Sequence, residues 1–365
     1  MKIFSDMSVY EAAKERLRFL FDEFEDIYVA VSGGKDSTVA LYMTLEIAKE
    51  RGRPIGIFFL DQEFEWQGTI DIMRKWAKLD GVTPYWLQCP LRMYNSNSAL
   101  VPYVEIWDEK RHDKWMREKE PYSIQVPFSV NTRFHTTMNS FTDWRQEVTG
   151  KKTCLIGGLR AEESFNRYRA VTSGVTYKGL TWGRKNAKTY CFYPFYDWTF
   201  RDVWKYINDN GIEYNAVYDE MYKLGVPVND MRISNLIHEY TTALLYLQEI
   251  EPRTYDRLTV VLPGISTRTK FEDDWIPKKL PDVFTSWKEY RDYLVETIVA
   301  PEYRDSFKKT WAKQADNEDV YRLHCIECIK SDVTHTVNAD RTAILSSKIK
   351  RAERKKKNDN QGKAD

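Results

Sequence analysis

The amino-acid sequence predicts an α/β protein: a doubly wound, Rossmann-like parallel sheet followed by a mainly helical C-terminal part. Three observations carry this expectation. Short apolar runs alternate with stretches of helical periodicity through the first half of the chain, the pattern of strands buried on both faces and joined by crossover helices. A glycine turn bearing a lysine and an aspartate, SGGKDS, falls between the first apolar run and the helix after it. Beyond about residue 212 the helical signals dominate, in SNLIHEYTTALLYLQEI, TSWKEYRDYLVETIV and EYRDSFKKTWAKQ.

The elements follow in order. Residues 8–24 form an amphipathic helix, because Leu17, Leu20, Phe21 and Phe24 recur at three- and four-residue spacing. It leads into the strand IYVAV (27–31). TVALYMTLEIAKERG is the helix after the glycine turn and stops at Gly52; PIGIFFLD (54–61) is the second strand, QGTIDIMRKWAKLDG the next helix and PYWLQCP the third strand. Residues 92–145 scatter Trp, Tyr, Pro and charge without a period and read as an insertion or lid. The alternation returns in TCLIGGLRAEES (153–164) and around CFYPFYDWTFRDVWKYINDNG (191–211), where Thr199 reads as a helix cap with Trp204 and Ile207 inward. Ligands of such sheets bind beyond the C-terminal ends of the strands, which puts the expected site where IYVAV and IFFLD end. The expected division is 1–211 for the α/β domain, 212–340 for the helical region and 341–365 for a basic tail.

Composition narrows the class. The chain has 365 residues, 42% hydrophobic and 30% charged, an ordinary globular balance. No apolar run reaches the ~18 residues that span a bilayer, and charges interrupt the first residues where a secretion signal needs an apolar stretch. A cytoplasmic location and no membrane partner are the expectation. Five cysteines, Cys89, Cys154, Cys191, Cys325 and Cys328, argue against a disulfide scaffold and leave metal or redox work open. Residues 341–365 hold nine Lys/Arg against three Asp/Glu. Such a tail suits nucleic acid, or is a solvated helix end. GISTRTK (264–270) is a second phosphate-contact candidate or a solvated loop, whereas His112, His135 and His238 lack ligand spacing and read as structural.

The strongest chemical signal is the turn itself, Ser32 to Ser37. Gly33 and Gly34 allow a positive φ, so that successive N–H groups face one anion, and the helix that follows adds its positive end. The spacing is not that of the GxxxxGKS/T NTPase loop, since Lys35 is followed by Asp36. Lys35 can neutralise a diphosphate, Ser32 and Ser37 can donate from their hydroxyls, and Asp36 can hold Mg²⁺ or cap the helix.

This loop resembles the SGGxDS signature of the ATP pyrophosphatases of the adenine-nucleotide α-hydrolase-like fold. Within that superfamily the chain is most similar, over roughly residues 20–210, to the phosphoadenylylsulfate (PAPS) reductase and small-subunit sulfate adenylyltransferase branch. Three further segments carry the resemblance. FFLDQEFEW (58–66) matches the branch's Asp-Thr-Gly stretch at Asp61 and Phe64, with Gln62 and Glu63 in place of Thr-Gly; Asp61 is placed to reach a ribose or a metal-bound water, or simply to end the strand. GGLRAEESFNR (157–167) resembles the Gly-x-Arg segment and makes Arg160 and Arg167 anion-contact candidates; Glu162 and Glu163 suit Mg²⁺ or a helix dipole. YPFYDWTFRDVWKYI is similar to the branch's Pro and Asp-Val-Trp helix start. The resemblance implies binding of ATP or a PAPS-type nucleotide with Mg²⁺, and action at the α-phosphate through Lys35, Asp36 and Arg160.

The chain also departs from the branch. The reductases carry a terminal Glu-Cys-Gly-x-His segment, whereas HCIECIKSD (324–332) keeps Glu327 and Cys328 and has Ile329 where the Gly belongs. Cys325 and Cys328, with His324 beside them and His335 downstream, suit zinc or one edge of an iron–sulfur cluster, a reactive dithiol, or buried packing. The altered end and helical C-terminal half also resemble the immunoglobulin-binding regulator A proteins. That resemblance implies a transcriptional co-activator of prophage genes working with a ParB-like partner, its basic tail touching DNA or the partner. The CxxC further resembles the DNA phosphorothioation and tRNA thiolation enzymes, which implies sulfur transfer to nucleic acid.

Overall fold

The computed structural model describes residues 6–95, 103–124, 134–228, 231–237, 242–262 and 279–330, together with residues 332, 333, 335, 342, 345, 346, 348 and 349. The GISTRTK segment, His238 and most of the basic tail lie outside the described residues. The chain divides into two compact units. The first comprises Met1–Met93, Glu105–Leu236 and Tyr246–Thr254; the second comprises Tyr94–Val104, Ile237–Leu245 and Tyr255–Asp365.

In the first unit α1 (Val9–Glu23) starts at Ser8, whose hydroxyl accepts the Glu11 N–H, and buries Leu17, Leu20 and Phe21. Each such side chain contributes roughly 1.5–3 kcal/mol when fully removed from water. The chain continues through β1 (Asp26–Ala30), α2 (Lys35–Glu50), β2 (Ile55–Leu60), α3 (Gln67–Trp76) and β3 (Val82–Leu87). The strands β4 (Leu91–Tyr94) and β5 (Tyr103–Ile106), a short 3₁₀ turn Glu109–Lys114 and α4 (Phe134–Thr149) occupy the expected insertion. Then come β6 (Thr153–Ile156), α5 (Phe165–Thr172), β7 (Gly183–Lys185), β8 (Tyr190–Phe192), α6 (Phe200–Asp209) and α7 (Val217–Lys223).

The main sheet has the order β3-β2-β1-β6-β8-β7, parallel throughout except for β7, which runs antiparallel to β8. The chain winds from β1 outward to β3, then returns to the other side of β1 with β6. The winding therefore reverses between β1 and β6, and it is at such a reversal that the crevice for a ligand opens. The sequence reading set the site at the ends of β1 and β2; the reversal puts β1 and β6 together, because Tyr28 and Val29 pair with Leu155 and Ile156. The loops that meet there are SGGKDS and GGLR.

Two anchors extend the first unit past residue 211. α6 opens with a capping box in which Thr199 accepts from Asp202 N–H and the Asp202 carboxylate accepts from Thr199 N–H. Ile207 is buried and Trp204 stacks edge-on against Tyr214 and Tyr218. Glu251 then serves the start of α3, its two oxygens accepting the N–H groups of Gln67 at 2.7 Å and Gly68 at 2.8 Å. That is the favourable place for a carboxylate on a helix.

Helices α8 (Thr242–Ile250) and α9 (Pro252–Val261) carry the chain between the units. The second unit contains α10 (Trp287–Thr297), α11 (Pro301–Trp311) and α12 (Glu318–Ile329). Their shared core is Leu294, Val295, Val299, Phe307, Trp311, Cys325 and Cys328. No helix among the described residues is long and apolar enough to cross a membrane.

Candidate functional site

Of the two glycines expected to take a positive φ, only Gly33 does; Gly34 has φ −85° and an extended backbone. Gly33 has φ 73°, and a Cβ there would lie 2.9 Å from Thr69 Cγ2, so both conformation and space favour glycine. Gly34 is the N-cap of α2 and supplies no capping side chain. Ser37 closes the turn instead: its hydroxyl donates to Gly34 O at 2.8 Å and accepts the Ser32 N–H at 3.2 Å. The Lys35 N–H donates to the Tyr218 hydroxyl at 3.2 Å. The Lys35 ammonium is buried, 3.0 Å from Asp36 Oδ2 and 5.9 and 5.8 Å from the rings of Phe200 and Tyr218. Carboxylate and rings together fix the direction of a side chain that would otherwise sample many rotamers.

Arg160 meets this turn from β6. A Cβ on Gly158 would lie 2.7 Å from the Asp36 carbonyl oxygen, so only glycine lets the GGLR loop pass against the start of α2. Arg160 is 4% exposed. Its Nε donates to Asp36 Oδ1 at 2.5 Å, and its terminal nitrogens lie 3.6 Å from Glu162 and 3.5 Å from Glu163. Its Nη1 is buried and makes no hydrogen bond. Arg167 pairs with Glu163. Burial lowers the Arg167 pKa, Asp36 raises it, and Arg232 and Arg160 lower it again, which identifies Arg232 as another cation of the neighbourhood. Ser32, Gly33, Gly34, Lys35, Asp36, Ser37, Arg160 and Arg167 thus form one continuous patch.

The carboxylates proposed for Mg²⁺ are all engaged. Asp36 lies between Lys35 and Arg160, Glu163 between Arg160 and Arg167, and Glu162 accepts the Phe200 N–H at 3.2 Å. These residues fit two positioned cations better than a resident metal ion.

Asp61 is wholly buried at the end of β2 and engaged on both oxygens. Oδ1 accepts the Glu63 N–H at 2.9 Å; Oδ2 accepts from Trp86 Nε1 at 2.8 Å, Gln88 Nε2 at 3.0 Å and the Arg117 guanidinium. Glu63 holds φ 67°, and its carboxylate accepts the N–H groups of Trp107 at 2.8 Å and Met116 at 3.3 Å. The two acids bind residues 107–117 to the end of β2.

Glu65 has a different environment. Burial first, and then the charge of Asp61, push its pKa up to about 7, against weak hydrogen bonds from Asn235 and the Gln62 N–H. The folded protein therefore holds this proton more tightly than the unfolded chain does. The stability it confers is complete below about pH 4.5 and is lost as pH rises to about 7, a change on the order of 3 kcal/mol. Urea unfolding across this range should show a fall in stability that Glu65→Gln removes; parallel pH profiles for the two proteins would contradict it.

The CxxC lies inside α12, one turn apart on a buried face. Cys325 donates weakly to Trp287 O at 3.6 Å. Burial pushes its pKa up to about 12 and raises that of Cys328 well above the ordinary thiol value. His324 is stacked on Trp311 and turned to Gln314, with burial lowering its pKa to about 3. His335 lies 3.6 Å from Glu327 and 3.4 Å from the Ser306 hydroxyl. Among the described residues no three His, Cys, Asp or Glu side chains are arranged to hold a metal ion. The expected set Cys325, Cys328, His324 and His335 is thus not assembled as a centre: the thiols pack into an apolar core and His324 faces an amide. Cys154 and Cys191, on neighbouring strands, belong to the first unit. Iodoacetamide at pH 8 should label Cys325 and Cys328 at least ~100-fold more slowly in the native protein than in urea, since the thiolate is the reactive species. Comparable rates would contradict this packing.

Three site residues escaped the sequence reading. Tyr218 is 183 positions from Lys35, Phe200 read only as the start of a helix, and Gly158 as one of a glycine pair. No local pattern marks the first two, because their role exists only once α6 and α7 fold back over the turn.

With the geometry in place, comparison with known proteins assigns the family. The model of the phosphoadenosine phosphosulfate reductase domain matches residues 26–225, more than half of the chain. The uncharacterized protein YbdN of Escherichia coli (strain K12) is 28% identical over 280 residues, covering 73% of this chain and 68% of YbdN. Adenosine 5'-phosphosulfate reductase of Anoxybacillus flavithermus is 37% identical over 78 residues, 21% of this chain and 29% of that protein. Sulfate adenylyltransferase subunit 2 of a Sulfurovum species is 22% identical over 218 residues, 55% of this chain and 63% of that protein. This chain thus spans under two thirds of the length of either of the last two. It belongs to the phosphoadenosine phosphosulfate reductase domain family.

Proposed function

We propose that the chain binds the phosphates of an adenine nucleotide, ATP in the first instance, on the Ser32–Ser37 turn, and that it acts at the α-phosphate with release of pyrophosphate. The observation that carries this reading is Arg160 Nη1, a buried guanidinium N–H without a hydrogen bond beside that turn. The Glu162 carboxylate lies 3.6 Å from this nitrogen, beyond hydrogen-bond distance, so a phosphate oxygen that comes closer gives the buried donor the charge-assisted hydrogen bond it lacks. Lys35 is the second cation: its ammonium is already aimed by Asp36, Phe200 and Tyr218, so little ordering remains to be done on binding.

In this reading a nucleophile attacks the α-phosphorus, the α–β phosphoanhydride bond breaks, and the electron pair leaves on the pyrophosphate. Lys35, Arg160 and the positive end of α2 stabilise the charge that accumulates there, the arrangement in which fixed donors contribute most. Mg²⁺, which the family implies, would supply further charge neutralisation on the phosphates; no step is assigned to it, because the chain's nearby carboxylates are occupied by cations. ATP is preferred over a sulfated nucleotide because the two thiols of the CxxC are held protonated by burial, whereas attack on a sulfonyl group needs a thiolate. Incubation with ATP and analysis of the products tests the reading: pyrophosphate and an adenylyl product are expected, and orthophosphate with ADP would overturn it.

A further inference from the structure

We propose that the exposed face formed by α5 and β7 is a docking surface for a single-stranded polynucleotide, which makes nucleic acid the acceptor class for the chemistry above. The proposal rests on the phosphate-site reading for its purpose, although not for its binding test.

The surface combines a basic run with exposed rings. From Ser164 to Thr189 the chain carries Arg167, Arg169, Lys178, Arg184, Lys185 and Lys188 and no acidic residue. Outside the 341–365 tail the protein as a whole has an acidic excess, 51 Asp/Glu against 46 Lys/Arg once the tail's three and nine are set aside. Some of these cations are engaged: Arg167 with Glu163, Lys178 with Glu23 and Lys188 with Glu147. Arg169 and Lys185 are exposed and have no ion-pair partner among the described residues. Aromatic rings lie among them. Phe165 is 73% exposed and Tyr168 is 44% exposed, and their i,i+3 spacing puts them on one face of α5. Single exposed apolar side chains are ordinary on a protein surface; here two exposed rings share one short helix with the exposed Arg169.

Exposed rings on one helix with an exposed, unpaired arginine, and a further unpaired lysine on β7, match one chemistry closely. Unpaired bases stack on aromatic faces while the phosphates between them are met by Arg and Lys. A duplex hides its base faces, and an acidic peptide offers the charge without flat rings to stack. Position supports the assignment as well. α5 begins directly after the GGLRAEES loop, and Arg167 in its first turn is joined through Glu163 and Arg160 to Asp36 of the phosphate-binding turn. A strand lying on α5 is therefore delivered to the site at which an adenylyl group would be transferred.

Fluorescence anisotropy of the full chain with a labelled 12-nucleotide mixed-sequence single strand tests this. Binding is expected to weaken as salt is raised, and the double variant Phe165→Ala/Tyr168→Ala should weaken it at least ~10-fold, since stacking contributes about 1–3 kcal/mol per base. Arg169→Glu/Lys185→Glu should weaken it and flatten the salt dependence. All four side chains lie on the surface, so circular dichroism should show both variants folded. Lys35→Ala should leave oligonucleotide binding unchanged, so a failed phosphate site and a failed docking surface give different results. The proposal is overturned if the single strand does not bind, or if duplex DNA or polyglutamate binds as tightly and with equal sensitivity to the aromatic pair. It is equally overturned if binding survives both double variants and disappears only on removal of residues 341–365, or if the aromatic pair instead governs self-association of the chain.

Discussion

Arg160→Ala is expected to weaken ATP binding by about 10- to 100-fold in an isothermal titration, the range for a buried charge-assisted hydrogen bond. Lys35→Ala should act more on turnover, lowering pyrophosphate release by ~10²–10³-fold, as removal of a donor aimed at developing negative charge does elsewhere. The two side chains differ in how they are held. Arg160 is locked by Gly158 and by Asp36, whereas Lys35 owes its direction to Asp36 and two rings from α6 and α7. Tyr218→Phe leaves the ring and removes the hydroxyl that accepts the Lys35 N–H, so it separates aiming of the ammonium from ordering of the backbone. ATP affinity that is unchanged in Arg160→Ala would remove the phosphate role assigned to this residue.

The second large effect concerns stability. Asp61→Ala should destabilise the first unit by about 3–5 kcal/mol, the cost of removing one partner of a buried ion pair, measured by urea unfolding. The substitution strands the Arg117 guanidinium and leaves the indole N–H of Trp86 and the amide of Gln88 without their acceptor. A loss below about 1 kcal/mol, accompanied by weaker nucleotide binding, would instead mark Asp61 as a ligand contact. Glu63 explains why the stakes at this strand end are high. It stands where the Asp-Thr-Gly stretch that this segment resembles has glycine, and it keeps a left-handed φ, a conformation costing on the order of 1 kcal/mol for a side-chain-bearing residue. Its carboxylate, tied to the N–H groups of Trp107 and Met116, offsets that strain by fixing the segment that follows.

What was legible in the sequence was the local part of the design. Strand, glycine turn and helix are contiguous, so apolar runs and the Gly33–Gly34 pair were enough to locate the Ser32–Ser37 turn and Lys35. Thr199 announced itself as the cap of α6 for the same reason, whereas its Asp202 partner came only with the structure. What escaped depended on contacts made at long range. The reversal of the sheet between β1 and β6 follows from where the chain goes after an insertion with no period of its own. Tyr218 is recruited by the packing of α7. Asp61 takes one of its partners, Arg117, from 56 residues away. The CxxC looked like half a metal site because spacing alone does not report burial; inside α12 the two thiols belong to the same apolar core as Leu294, Val295 and Phe307.

The central claim is that phosphates are held between the Gly33–Gly34 turn and Arg160. A crystal structure of the full chain with a nonhydrolysable ATP analogue measures it most directly. The account predicts phosphate oxygens within hydrogen-bonding distance of N–H groups of the turn other than those of Ser32 and Lys35, which Ser37 and Tyr218 accept, and of the Lys35 ammonium and Arg160 Nη1. An analogue bound elsewhere, with Arg160 Nη1 still lacking an acceptor, would contradict it.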